Sequence, residues 1–301
     1  MEPVELFATD DKGWMKMMME VVTESTAMVG MPVIAAVCVT LFVSLILPVI
    51  VCIVFCVKNR GKGVVAAWFL GAAGFFVFQI MIRTPILSAL SLSTAFMAFA
   101  KEQYVWYCLI MAFTAGLFEV AGRYIVARIL KKKQCFEKGV AAGLGHGGIE
   151  AMMIVGVTYI NNLIYIIMIN TGSYDLMVEQ TRAMNVDVSS LVALKETFLT
   201  TGPGIFYLAG YERLLTMVFQ LALSLLVCYF VWKGKDLLGV LICLTLHTTV
   251  DFVVPMINGR AAGYLGEPIS TDTAYLLIYG FLTLVALGAG LLVWKLRKRL
   301  A

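Results

Sequence analysis

The sequence predicts an all-α fold: a polytopic membrane bundle of seven transmembrane helices, with the N-terminus outside and the C-terminus in the cytoplasm. Three observations predict it. Hydrophobic residues make up 61% of the chain and charged residues only 14%, against about 25% charged in soluble domains. The apolar residues gather into seven stretches, each near or above the roughly 20 residues that a helix needs to cross a bilayer. The basic residues concentrate in every second connection, as the positive-inside rule describes.

Taken in order, residues 1–30 hold six acids and two bases. The basic start of a cleavable signal peptide is missing, and the segment reads as an extracellular tail. Within it, WMKMMMEV at 14–21 suits a short amphipathic turn on the membrane surface. The seven spans cover 31–57, 63–83, 104–130, 139–170, 204–232, 236–257 and 274–295. Residues 85–100, PILSALSLSTAFMAFA, are too short for a span and read as a re-entrant or interfacial helix. Arg83, just before Pro85, reads as a snorkelling interfacial anchor. The longest polar connection, 171–203, contains VDVSSLVALKETFL. Its helical periodicity suits a helix lying along the membrane or capping a cavity.

Orientation comes from the loops. The connections at 58–62, 131–138 and 233–235 and the tail at 295–299 hold 13 Lys or Arg, and the opposite set holds six spread over far more residues. That places the C-terminus in the cytoplasm. The lysines at 131–133 are thus a topology signal, and no nucleic-acid partner is called for. No polar stretch is long enough for a separate soluble domain. The whole of 1–301 is therefore read as one integral membrane domain, a tail over 1–30 and a bundle over 31–295, multi-pass in the cell membrane with the lipid bilayer around it. The oligomeric state is left open.

The seven cysteines form no disulfide framework. Cys38, Cys52, Cys56, Cys108, Cys228 and Cys243 fall within apolar spans and Cys135 in a basic loop, so they read as small buried apolar residues.

Ionisable residues inside the spans are harder to explain. They are Glu119 with Arg123, His146 with Glu150, Glu212 with Arg213, and His247 with Asp251. Each charge near a helix centre costs about 2.5–3.5 kcal/mol on insertion scales. They must pair, coordinate something or line a wet cavity. Counted from the cytoplasmic span ends, Glu119, Glu150, His247 and Gln220 lie 11 or 12 residues in, which is about 16–18 Å at 1.5 Å per residue. Residues spaced by four share a helix face, so Glu119 can bridge Arg123, His146 can bridge Glu150, and His247 can bridge Asp251. Glu212 and Arg213 are adjacent and are expected to point to different faces, each partnering a separate helix. Gly143 and Gly147 form a small-xxx-small face on which another helix can approach closely.

Imidazole and carboxylate together suit zinc, and two of them at i, i+4 let one helix supply two ligands, or a ligand and a base. The same residues also suit hydrogen-bonded glue between helices, or a proton or ion relay.

FEVAGRY, GLGHGGIEA, YERLLTMVFQLALS and LHTTVDF, in that order, resemble the YhfC family of intramembrane metalloproteases. That family is similar to the type II CAAX prenyl endopeptidases and the PrsW-type proteases, and is related to the seven-helix scaffold subunit of gamma-secretase. The resemblance covers most of the chain from about residue 31, and GHGGIE is its most specific piece. It places Glu119 and Arg123 on the family's ExxxR motif, His146 and Glu150 on GHGGIE, Glu212 and Arg213 on its Glu-Arg pair, and His247 and Asp251 on its final HxxxD/N motif. Two positions depart: Val120 stands where a second acid often follows, and Gln220 where a histidine often stands. Gln220 hydrogen-bonds but is a poor zinc ligand.

The resemblance implies a membrane-bound, metallopeptidase-like hydrolase acting on a membrane-embedded or membrane-proximal peptide. Glu119 would be the general base, held in place by Arg123. His146 and His247 would bind zinc or polarise the water directly, Glu150 would be a third ligand or orient His146, and Asp251 would fix the tautomer of His247 or, protonated, stabilise the oxyanion side. Two other classes use the same network: a non-catalytic membrane scaffold, and a small-solute or ion transporter.

Overall fold

The computed structural model describes residues 27–300, so the surface turn expected at 14–21 lies outside the described residues. These residues form ten principal helices and no strand. Seven are long and apolar enough to cross a membrane: α1 (Met31–Lys58), α2 (Val64–Ser91), α4 (Tyr104–Leu130), α5 (Phe136–Asn170), α8 (Pro203–Trp232), α9 (Asp236–Ala261) and α10 (Thr271–Leu300). Three short helices join them: α3 (Thr94–Glu102), α6 (Ser173–Ala183) and α7 (Ser189–Thr200). The surface is what lipid demands. On α10, Leu276, Leu284, Leu287 and Leu291 recur at helical spacing and stand 62–75% exposed, a stripe that a soluble monomer rarely shows.

One extent differs from expectation. The second span does not stop near Arg83 but continues through Pro85 to Ser91, and only Thr94–Glu102 stands apart. A proline ring removes one backbone N–H and strikes the carbonyl four residues back. Here that carbonyl belongs to Met81, inside a stretch at Phe76–Arg83 where the helix widens to π-type bonding. The wide turn makes room for the ring. The same device serves α1, where the wide turn at Phe42–Ile46 contains Ser44 and precedes Pro48. The polar connection 171–203 holds two helices, α6 and α7, the second close to the stretch read as helical.

By density of internal contacts the chain divides into two compact units. The first comprises described residues up to Val39 with Thr158–Tyr207. Its core stacks Phe198 on Phe206 with ring centres 6.1 Å apart, and Tyr159 donates to the Phe206 carbonyl at 3.2 Å. Tyr174, fully buried, donates to the Leu191 carbonyl at 2.9 Å and so pins α6 to α7. Burial raises the pKa of its phenol above the usual range.

The second unit comprises Thr40–Val157 with Leu208–Ala301. Here α2 and α4 pack on one another, α2 on the first half of α5, and α9 on α4. Glycines set how closely. A Cβ on Gly145 would collide with the Trp68 carbonyl of α2, and one on Gly143 would lie 2.9 Å from the Leu221 Cα of α8. The expected close-approach face is therefore real: Gly143 and Gly147 receive α8, and Gly145 receives α2 on another side. His146, between these glycines, is left 1% exposed.

All seven cysteines are free. Cys108, Cys228 and Cys243 are buried as expected, Cys52, Cys56 and Cys135 are half-buried, and Cys38 is exposed.

Candidate functional site

The site is built on α4. Apolar and small residues around Glu119 let neighbouring helices close on it, so a carboxylate becomes 3% exposed deep in the second unit. A lone buried charge of this kind is costly unless it is both paired and hydrogen-bonded. Glu119 meets both conditions through one atom. Its Oε2 accepts from Arg123 Nη2 at 2.9 Å, one turn along the same helix, and from Gln220 Nε2 of α8 at 3.4 Å. The same oxygen lies 3.1 Å from His146 Nε2 of α5 and 2.9 Å from His247 Nε2 of α9. The two imidazoles therefore face one another across a single oxygen, and no more than the sum of those distances separates them.

Glu150, one turn past His146, does not bond it. Its Oε2 accepts from Gln220 Nε2 at 2.5 Å, and its Oε1 from Arg213 Nη1 at 3.4 Å. Gln220 is thus a bridge: its amide nitrogen reaches both carboxylates while its oxygen accepts from Arg123. The residue singled out as a departure from the family pattern lies at the centre of the network. His247 Nδ1 lies 3.2 Å from Asp251 Oδ2, close enough for an ion pair but outside hydrogen-bond alignment.

Two expectations are corrected. Arg213 partners another helix as expected, through Glu150 of α5, but Glu212 turns back to Arg213 itself. Arg213 Nη2 pairs with Glu212 Oε1 at 2.5 Å and only its other end crosses to Glu150, since a long guanidinium on a helix can fold back along its own backbone. Arg83 does not snorkel away from the spans. Its Nη2 donates to the Met111 carbonyl at 2.8 Å and its Nε to Thr114 Oγ1 at 3.3 Å. Sequence reasoning also passed over Ser224, whose buried hydroxyl accepts from Arg123 Nε at 3.3 Å. The available signal was its spacing of four from Gln220 on α8.

A cavity of about 460 Å³ opens onto this cluster. Glu119, Glu150, Gln220, His247 and Asp251 line it. His146 and Arg123 do not; they stand behind Glu119 beside a void of about 10 Å³, too small for more than a water. The layout has an open side and a closed side, with Glu119 between them. Among the described residues, Glu119, His146 and Glu150 each bring a ligand atom within 4.8 Å of the others. One imidazole and two carboxylates make a donor set that fits a borderline divalent cation such as zinc.

The YhfC intramembrane metalloprotease family matches residues 43–265. This chain belongs to that family. Every polar residue of the cluster falls inside the match. An uncharacterized membrane protein, YhfC, of Bacillus subtilis (strain 168) is 31% identical over 202 residues, covering 66% of this chain and 75% of that protein. No solved structure matches. As a YhfC family member with seven apolar helices, the chain is a multi-pass membrane protein.

Proposed function

We propose that this YhfC family protein is an intramembrane peptidase that hydrolyses a membrane-embedded or membrane-proximal peptide, with zinc as its metal, in the cell membrane with its N-terminus outside. The observation that carries the reading is the convergence of both histidines of the chain on one buried carboxylate at the wall of a cavity. Membrane helices carry so few ionisable groups that such a meeting is costly without a use.

The residues that would hold the metal are His146 and Glu150, with Glu119 in the same close group. When bound, the metal supplies Lewis acidity that polarises a carbonyl and makes a water acidic near neutral pH. The chain's own residues do the rest. Among the described residues all the hydrogen bonds of Glu119 end on Oε2, so its second oxygen is the one offered to a water in the cavity. Glu119 removes a proton from that water as its oxygen attacks the peptide carbonyl carbon. It then returns the proton to the leaving nitrogen as the carbon–nitrogen bond breaks. His247, on the cavity wall, stabilises charge developing on the carbonyl oxygen, and Asp251 stands 3.2 Å from its Nδ1. Arg123 and Ser224 hold Glu119 from behind.

The test is on protein purified in detergent. Metal content is measured by mass spectrometry, and cleavage is followed on a panel of labelled membrane-spanning peptides. The expected result is near-stoichiometric zinc, cleavage, and at least about a hundredfold loss of rate in Glu119→Gln with its melting temperature kept.

A second reading, a non-catalytic scaffold, draws support from one observation. Gln220 and the two arginines already engage both carboxylates within the chain, as a network kept only for packing would do. Under that reading a folded Glu119→Gln protein retains its cellular function, and no peptide in the panel is cut.

A further inference from the structure

The cavity lies to one side of the cluster. Along α4 its lining runs from Tyr107 to Glu119, about 18 Å at 1.5 Å per residue. Among the described residues the lining stops at Glu119 on α4, at Gln220 on α8 and at His247 on α9. Beyond those three residues each helix runs on to an end that the cavity avoids: Leu130, Trp232 and Asp236. All three ends adjoin the basic connections 131–138 and 233–235.

The avoided half is filled instead. Between the cluster and the basic connections, Ala127, Val227, Val231 and Cys243 are fully buried. Trp232 Nε1 donates to the Ala127 carbonyl at 3.1 Å and ties α8 to α4 at that end.

Exposure of the ionisable groups rises in the opposite direction. On α9 the His247 side chain is 2% exposed, and that of Asp251, one turn farther from the basic connections, is 36% exposed. On α8 Gln220 is buried, while the Glu212 side chain, two turns farther out, is 31% exposed. Both acids line the cavity. An ionised group facing hydrocarbon costs about 2.5–3.5 kcal/mol near a helix centre, so acids set along this wall call for water beside them.

We propose that water and peptide reach Glu119 only from the membrane face opposite the basic connections, which the charge asymmetry makes the outer face. The substrate class follows: a peptide whose scissile bond is presented in the outer half of the bilayer or just outside it. A segment confined to the cytoplasmic face meets the packed half and is not cut. The substrate class rests on the peptidase reading; the access route does not.

The test reads access without turnover. Thr216→Cys on α8 and Met111→Cys on α4 each place a thiol on the cavity wall. Native Cys135, a free thiol in the basic connection, reports the other face. Cells carrying each full-length variant, and inside-out vesicles made from them, are treated with a membrane-impermeant trimethylammonium methanethiosulfonate. Peptide mass spectrometry then scores every cysteine separately. The reagent attacks thiolates, which form where water reaches the sulfur. In intact cells both introduced thiols are expected to react at least about tenfold faster than in the vesicles, and Cys135 the reverse. The variants lie on different helices, so either alone decides if the other misfolds.

Introduced thiols that react faster in the vesicles, equally in both preparations, or only after denaturation overturn the access route and leave the peptidase reading standing. The substrate class is read from cut sites on a membrane-spanning peptide co-expressed with the chain, which are expected in its outer half. Cut sites in the cytoplasmic half overturn the substrate class alone. A peptide left whole overturns it together with the peptidase reading, with the access route still decided by the thiols.

Discussion

The same ion-pair chemistry occurs in two settings in this molecule. On the exposed ends of the helices, Lys62 meets Glu137 at 2.5 Å, Arg128 meets Asp236 at 2.8 Å and Lys195 meets Asp175 at 2.5 Å, with each pair open to solvent on at least one side. In the cluster around α4, Arg123 meets Glu119 at 2.9 Å with side chains only 1% and 4% exposed. The exposed carboxylates take one side-chain donor each, or two at Asp236, which also accepts from the Tyr124 hydroxyl. The buried carboxylate shares its oxygen among Arg123, Gln220, His146 and His247. The distances are alike, so distance does not distinguish them. Screening does: water competes for an exposed pair and makes it worth about 0–1 kcal/mol, whereas a buried pair that loses one partner strands a charge.

The largest way to break the contrast is Glu119→Leu. It removes the acceptor for a buried arginine, and unfolding in detergent is expected to show a loss of about 3–5 kcal/mol. A second handle is the metal. Chelation of a protein saturated at about a hundredfold above its dissociation constant is expected to lower stability by about 2.7 kcal/mol. Added zinc is expected to restore it, as read by thermal melting. An unchanged melt would place the cluster with the packing networks instead. Third, Gly145→Ala drives a methyl group into the Trp68 carbonyl, and overpacking of this kind costs about 1–3 kcal/mol. It sharpens the comparison because the close approach of α2 is what keeps His146 dry. The smallest effect is expected for Lys195→Ala, within about 1 kcal/mol, despite its shorter contact with Asp175.

Much of this was legible before any coordinates. The seven spans followed from apolar run length, because the bilayer core has one thickness and a helix one rise per residue. The shared depth of Glu119, Glu150, Gln220 and His247 followed from counting along those spans, and the close-approach face at Gly143 and Gly147 from spacing alone. The partners were harder. His146 and Glu150 share a face, and local reasoning joined them. Yet His146 bonds to Glu119 and Glu150 to Gln220 and Arg213. Arg83 looked like an anchor because only its position near a span end was visible. The continuation of α2 through Pro85 was hidden because a proline marks a boundary unless the turn before it widens.

Run length, charge asymmetry and spacing are properties of a chain in one dimension, and they settled that this protein crosses a membrane, how many times, and which of its residues are out of place in lipid. Which of those residues touch is a property of how helices rotate and close on one another. Glycine contacts between α2, α5 and α8 decided that rotation, and with it the meeting of two distant imidazoles on the Glu119 carboxylate. The physical reason is range. Helix formation and membrane insertion are governed by neighbours within a turn or two, while a buried charge is made tolerable by donors that lie a hundred residues away in the chain.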